Sequence, residues 1–248
     1  MQLFLDTANI DEIREIAAWG ILSGVTTNPS LMARAGRGDY KAVAQEICYI
    51  VQGPVSAEAV SLDADGMVAE AAEFATWSPH VVVKIPITEE GLKAMSRIRE
   101  LKVDTERLCQ GCPWSGKCAT PPEIAHDLAI MWGVRTNATL IFSAAQALLA
   151  AAAGASFVSP FVGRLDDAGN DGMQIIAEIS EIFQNYGIES QIITASVRHV
   201  MHFIEAARLG SDIATVPYAV MKKALTHPLT DVGVQRFLDD WAKVAPST

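Results

Sequence analysis

Two hydrophobic rhythms alternate along this chain. Short, nearly continuous apolar runs are separated by longer segments in which apolar residues recur every third or fourth position. The first run, Leu3–Asp6, precedes a segment that begins at Asn9 or Asp11 and carries Ile10, Ile13, Ile16 and Ala17 at helical spacing. The unit then repeats. Gly24–Thr27, closed by Asn28 and Pro29, predicts a strand followed by a helix near Asp39–Val51. Val55–Val60 pairs with a helix over Asp63–Trp77, Val81–Ile85 with Glu89–Glu100, and Val134–Leu140 with Ser143–Ala153. Phe157–Val162 leads to Asp171–Tyr186, Gln191–Ala195 to Val197–Arg208, and Ile213–Val216 to Tyr218–Thr226.

Strands that alternate with helices build a parallel sheet, and a strand covered on both faces reads as an unbroken apolar run, as Val81–Ile85 does. Eight such units close most economically as a single-domain (β/α)8 barrel spanning residues 1–248. A doubly wound open sheet is the other arrangement, but no G-x-G-x-x-G or GxxxxGK[ST] follows any predicted strand. Two segments fall outside the repeat. About residues 101–133 form an insert between the fourth helix and the fifth strand, far longer than the usual 2–6 residues. Its second half, Pro122–Trp132, predicts a short helix with Ile124, Leu128 and Met131 on one side. An extra C-terminal helix over about 230–243 carries Val232, Phe237, Leu238 and Trp241, an apolar stripe that would pack across its own barrel or onto a neighbouring subunit.

Composition narrows the function. Hydrophobic residues make up 50% and charged residues 19%, enough for a large core and too apolar for disorder. The net charge of −10 and the lack of a Lys/Arg block argue against nucleic acid or an anionic membrane as partner, because phosphate neutralisation needs clustered cations. No apolar run reaches the roughly 20 residues of a membrane span. The first residues turn acidic at once, unlike a signal peptide, so a cytoplasmic location is expected.

The chemistry concentrates at the C-terminal ends of the predicted strands, where barrels carry their catalytic groups. Asp6 ends the first strand, Asn28 follows the second, Glu58 lies in the third and Lys84 in the fourth. Asn137 and Thr139 stand two apart in the fifth strand and so share a face. Ser159 lies on the sixth with Arg164 just beyond it, and Ser196 and Arg198 follow the seventh. Asp6, Glu58 and Lys84 each interrupt an apolar run, and buried charges persist when they are paired or functional. Desolvation should push the Lys84 amine towards its neutral, nucleophilic form, able to condense with a carbonyl as a Schiff base. Asp6 and Glu58 would move the protons. A simple ion pair between Lys84 and Glu58 is the competing reading of the same residues. Arg164, Ser196 and Arg198 suit a phosphate group, although Arg198 could equally serve a surface ion pair.

Three of the four cysteines fall in the insert as Cys109, Cys112 and Cys118, a C-x2-C-x5-C spacing, while Cys48 lies on the second predicted helix. A structural zinc or iron–sulfur site, a disulfide between two of the three, or free thiols are all compatible with it. A metal needs a fourth ligand, for which Cys48 and His126 are available. His80, His199, His202 and His227 have no ligand spacing and are expected at the surface or as caps.

The stretches FLDTAN (4–9), GVTTNPSL (24–31), SAEAVS (56–61), VVVKIPIT (81–88), TNATLIFSAAQALLAAAAGA (136–155), SPFVGRLDD (159–167), ITASVRH (193–199) and TVP (215–217) fall on all eight strands. In them the chain resembles the transaldolase family, in particular the short-chain branch that includes the fructose-6-phosphate aldolases. The resemblance implies a Schiff-base mechanism without metal or organic cofactor on sugar-phosphate substrates. It gives Lys84 as the imine-forming lysine, Asp6 as the carboxylate that exchanges a proton with the substrate hydroxyl, and Glu58 with Thr139 as holders of a catalytic water. It gives Asn28, Asn137 and Ser159 as substrate contacts, and Arg164, Ser196 and Arg198 as the phosphate site. Aldolase members carry Gln and Tyr where this chain has Glu58 and Phe161, so transfer of a dihydroxyacetone unit is expected over its release. The resemblance further implies a homo-oligomer, a pentamer or decamer. A barrel acting through its insert as a metal- or partner-binding protein is the contrary expectation; it would keep its function after Lys84→Met and lose it on removal of 103–120.

Overall fold

The computed structural model describes residues 1–36 and 38–244. Eight parallel strands close in sequence order into a barrel: β1 (Gln2–Asp6), β2 (Gly24–Thr26), β3 (Val55–Glu58), β4 (Val81–Pro86), β5 (Thr136–Ile141), β6 (Phe157–Pro160), β7 (Gln191–Thr194) and β8 (Ile213–Val216). β8 hydrogen-bonds back to β1, with Leu3 opposite Ala214 and Leu5 opposite Val216. Closure leaves no sheet edge to protect. The helices α1 (Ile10–Ala17), α2 (Pro29–Ala35), α3 (Tyr40–Val51), α4 (Ala64–Phe74), α5 (Glu89–Ile98), α6 (Pro122–Trp132), α7 (Ala144–Ala152), α8 (Val162–Asp167), α9 (Gln174–Tyr186), α10 (Val200–Arg208), α11 (Tyr218–Leu225) and α12 (Pro228–Val244) follow.

Polar caps set where the helices begin. The side chain of Asn9 accepts from the backbone of Asp11 and Glu12, Asp39 from Ala42, Asp63 from Gly66, and Ser143 from Gln146. Each satisfies backbone donors that the first helical turn leaves unpaired. The two short helices α2 and α8 sit where the sequence predicts only loop. Asn28 caps α2 through Leu31 N–H, with Pro29 at its first position.

The strands bury two different layers. Leu5, Val25, Val83, Ile85, Ala138, Val158, Ala214 and Val216 face outward and join the core beneath the helices. Phe4, Val82, Phe157, Ile193 and Ile213 face inward and form a separate apolar floor. Each such side chain contributes about 1.5–3 kcal/mol by leaving water. Two residues further along the same strands, on the same inward face, come Asp6, Lys84, Ser159, Ala195 and Thr215. A single step of strand period thus turns an oily plug into a polar chamber.

The insert leaves α5 and returns through α6. Within α6, Ala125 and Ala129 are buried, while Ile124, Ile130 and Met131 are exposed, so the predicted Ile124/Leu128/Met131 stripe is not the packed face. Small residues let the helix approach the barrel closely. α12 has no buried residue; Leu229, Val232, Phe237, Leu238 and Trp241 are all exposed. Its apolar stripe is therefore not used to cover this chain's own barrel.

Candidate active site

Register fixes the centre of the chamber. Glu58 stands opposite Lys84 across β3 and β4, and Lys84 opposite Asn137 across β4 and β5. Lys84 is 4% exposed. Its Nζ lies 3.0 Å from Glu58 Oε2 and donates to the Thr27 carbonyl at 3.4 Å. The ion pair weighed from the sequence is present, inside a chamber where it can also act. Asp6, on the same layer, accepts a hydrogen bond from Thr26 Oγ1 at 2.7 Å, and Thr26 shares a second one with Thr215 at 2.6 Å. Burial raises the Asp6 pKa above its ordinary value, and Glu58 adds to the rise; the Thr26 hydroxyl and the Lys84 charge oppose it.

The fifth and sixth strands complete the ring. Asn137 Nδ2 donates to Ser56 Oγ at 3.0 Å, and Ser159 Oγ donates to Asn137 Oδ1 at 2.7 Å. Both polar ends of the amide are held, so its orientation is fixed. Thr139 is fully buried, and its hydroxyl has no hydrogen-bond partner among the described residues. A buried polar atom left this way costs about 1–3 kcal/mol unless something else meets it.

Above this ring the cavity opens between α2 and the ends of β6 and β7. It encloses about 1000 Å3, counting the space open to solvent, and its walls include Asp6, Asn28, Arg34, Lys84, Arg164 and Arg198. Ser159 and Ser196 line it too. Gly163 makes the rim possible: a Cβ there would sit 2.2 Å from the Ser196 carbonyl. The Gly163 N–H instead donates to that carbonyl at 3.2 Å, which draws the start of α8 against the turn after β7. Ser196 itself adopts φ +59°, uncommon for a residue with a side chain and of the kind that persists where its surroundings enforce it. Arg164 consequently lies over the Phe161 ring at 4.9 Å, and Arg198 pairs with Asp167 at 2.7 Å while still facing the cavity. The surface ion pair and the cavity position are thus compatible.

Nine of the ten expected residues line this chamber or bond to a group that does, and Thr139 lies buried two residues beyond Asn137 in β5. Asn28 has a further task as the cap of α2, which engages its side-chain oxygen. Four contributors have no strand-end signature in the sequence. Tyr40, at the start of α3, accepts the Glu58 backbone N–H at 2.6 Å and so holds the end of β3. Arg34 comes from the unpredicted α2, and Ser56 and Thr215 resemble ordinary strand residues. The histidines depart from expectation. His199 caps α10 as anticipated, but His80 and His202 are buried. His202 Nε2 lies 2.7 Å from Asp166, and its Nδ1 accepts the Arg198 N–H at 3.2 Å. Asp166, His199 and His202 bring ligand atoms within 4.8 Å of one another, yet these hydrogen bonds already occupy them.

A second cavity lies at the opposite end of the barrel, under the insert. All four cysteines line it, together with Gln45, Trp77, His80 and His126. Each thiol is unpaired. Burial pushes the Cys48 thiol up to about 12, with the charges of Cys109, Cys112 and Cys118 acting in the same direction.

The barrel, with a lysine and two carboxylates inside its C-terminal mouth, defines a (β/α)8 enzyme built for carbonyl chemistry. Residues 3–247 match the family described as Transaldolase/Fructose-6-phosphate aldolase, and the chain belongs to that family. It is 53% identical to a "Probable transaldolase" of Roseiflexus castenholzii over 97% of each chain. It is 52% identical to one of Caldicellulosiruptor saccharolyticus over 98% of each, and 51% identical to one of Methanococcus maripaludis over 97% of each. A solved structure from Coccidioides immitis shares the fold alone, with a TM-score of 0.51 at 16% identity over 93% of this chain and 81% of that one. No helix among the described residues is long and apolar enough to cross a membrane.

Proposed function

We propose that this chain is a transaldolase that moves a dihydroxyacetone unit from sedoheptulose 7-phosphate to glyceraldehyde 3-phosphate, yielding erythrose 4-phosphate and fructose 6-phosphate. The reading rests on one observation above the rest: Lys84 is buried inside the barrel with a carboxylate 3.0 Å from its nitrogen. Lys84 gives up its ammonium proton, attacks the ketose carbonyl carbon, and loses that oxygen as water to form a protonated imine. Glu58 and the otherwise unmet Thr139 hydroxyl hold the water that carries these protons. Asp6 takes the proton of the C4 hydroxyl as the C3–C4 bond breaks, and the electron pair of that bond moves into the imine to give an enamine. The aldehyde product leaves. The enamine carbon then attacks the carbonyl carbon of the acceptor, Asp6 returns its proton to the new hydroxyl, and water hydrolyses the imine. A carboxyl with a raised pKa suits a group that must both take and return a proton.

Asn28, Asn137 and Ser159 hold the hydroxyls of the three-carbon adduct, and Arg164, Ser196 and Arg198 take the phosphate. The chain needs no organic cofactor for this chemistry, acts as one domain in the cytoplasm, and assembles as a homo-oligomer, pentamer or decamer, through the exposed stripe of α12. The Phe161 ring, its centroid 5.9 Å from Lys84 Nζ, brings no hydroxyl to the adduct, which favours an enamine that waits for its acceptor.

Borohydride reduction in the presence of fructose 6-phosphate, followed by peptide mapping, tests the mechanism. A three-carbon adduct on Lys84 is expected; an adduct on any other lysine overturns it. Turnover that requires erythrose 4-phosphate then supports transfer, whereas free dihydroxyacetone released without an acceptor makes the enzyme a fructose-6-phosphate aldolase.

A further inference from the structure

We propose that Cys48, Cys109, Cys112 and Cys118 together ligate an iron–sulfur cluster in the cavity beneath the insert. The four are every cysteine of the chain, and they come from two separate parts of it. Cys48 is buried on α3, in the helical layer, while the other three ride on the irregular half of the insert. All four line the walls of one cavity, so the buried helix and the insert bring their thiols to a common space.

The insert is anchored so that its thiols meet Cys48. Trp114 stacks on Tyr49 of α3, with ring centroids 4.6 Å apart and planes at 14°. The Thr120 hydroxyl donates to Gln52 Oε1, just past the end of α3, at 2.9 Å. The Cys109 N–H donates to the Thr76 carbonyl at 2.7 Å, and Arg107 pairs with Glu73 of α4. Cys109 and Cys112 are joined by one tight turn, in which the Cys112 N–H reaches the Cys109 carbonyl at 3.0 Å.

Two further observations point to an anionic, sulfur-rich occupant. His80 is 6% exposed and lines this cavity, yet neither ring nitrogen has a hydrogen-bond partner among the described residues. An imidazole N–H directed at a cluster sulfur would satisfy it. Arg135 is only partly exposed beside it and lies over the Trp132 ring at 4.3 Å. It has no carboxylate partner among the described residues, and its guanidinium donates to the Pro79 carbonyl at 3.3 Å. Four thiolates on iron carry net negative charge and would supply the counter-charge.

Sulfur spacing separates a cluster from a single ion. Tetrahedral zinc with bonds of about 2.3 Å holds its sulfurs roughly 3.8 Å apart. Among the described residues, no three of these thiols lie within 4.8 Å of one another. A cluster interposes several iron and sulfide atoms between its thiolates and so holds them further apart than a single zinc ion does.

The test is anaerobic purification of the full chain without chelator, with analysis for iron, acid-labile sulfide and zinc. Roughly two to four iron atoms per chain with matching sulfide are expected, together with broad visible absorption that bleaches on reduction. Iron below about a tenth of an equivalent overturns the proposal, as does one equivalent of zinc without sulfide or a disulfide between any two of the four. Cys48→Ser and Cys112→Ser should each lower bound iron at least several-fold. Full iron in Cys48→Ser would remove Cys48 from the ligand set. Because Cys48 is packed in the helical layer, Cys112→Ser and the retained far-UV CD spectrum of both variants report whether the fold survives the change.

Discussion

The two ends of this barrel assemble polar groups by different means. At the C-terminal mouth, strand pairing alone sets Glu58 beside Lys84 and Lys84 beside Asn137, and hydrogen bonds among inward side chains lock the ring. At the other end, three cysteines on an irregular segment are brought to a fourth on α3 by a ring stack, an ion pair and a few backbone hydrogen bonds. The first arrangement is inherited from the sheet, so its geometry is as rigid as the sheet. The second depends on a loop that few regular hydrogen bonds constrain, and a bound ligand would contribute much of its order. The apolar floor of Phe4, Val82, Phe157, Ile193 and Ile213 closes the chamber from below, and the two cavities share no lining residue.

That separation can be broken most sharply at Lys84. Lys84→Met should lower transaldolase turnover by about a thousandfold or more, since the covalent route disappears, and should abolish borohydride labelling. Cys112→Ser should leave turnover within about twofold in the same assay. Equal losses in the two variants would show that the ends are coupled.

Asp6→Asn should reduce turnover by about 100- to 10,000-fold, because the proton relay at the cleaved bond is lost. Stability should move the other way. Asp6 has a pKa raised in the folded chain, so it favours the fold while protonated, and that contribution is lost as pH rises from the ordinary carboxylate range through the raised value. The variant should therefore gain on the wild type in thermal melts as pH increases over that window. A difference that stays flat with pH would show that Asp6 is not strained by burial.

Among the chamber variants Arg198→Ala should have the mildest effect, a rise in KM of roughly 10- to 100-fold for phosphorylated substrates with kcat little changed, as loss of charge-assisted hydrogen bonds implies. Dihydroxyacetone donors that lack phosphate should be affected by less than about twofold. An equal effect on both would leave Arg198 with its Asp167 ion pair as its whole role.

The barrel was legible because its repeat is local. Apolar runs such as Val81–Ile85 and capped amphipathic helices such as Ile10–Ala17 carry their own periodicity, and eight of them admit few closures. The strand-end residues were legible for the same reason: a charge inside an oily run, like Lys84, is visible without knowing its neighbours. The short helices α2 and α8 were not, because seven and six residues give too little periodicity, and with α2 went Arg34. Tyr40 was hidden because its contact with Glu58 spans 18 residues of chain.

The sequence by itself determined the parallel barrel, the inward lysine and its two carboxylates, and the family, since all of these follow from short-range order repeated along the chain. Only the tertiary structure decided that Lys84 and Glu58 stand 3.0 Å apart, that the α12 stripe is left uncovered by its own barrel, and that Cys48 faces the insert's cysteines across one cavity. Those facts depend on how distant segments come to rest against each other, and spacing along a chain carries no measure of separation in space.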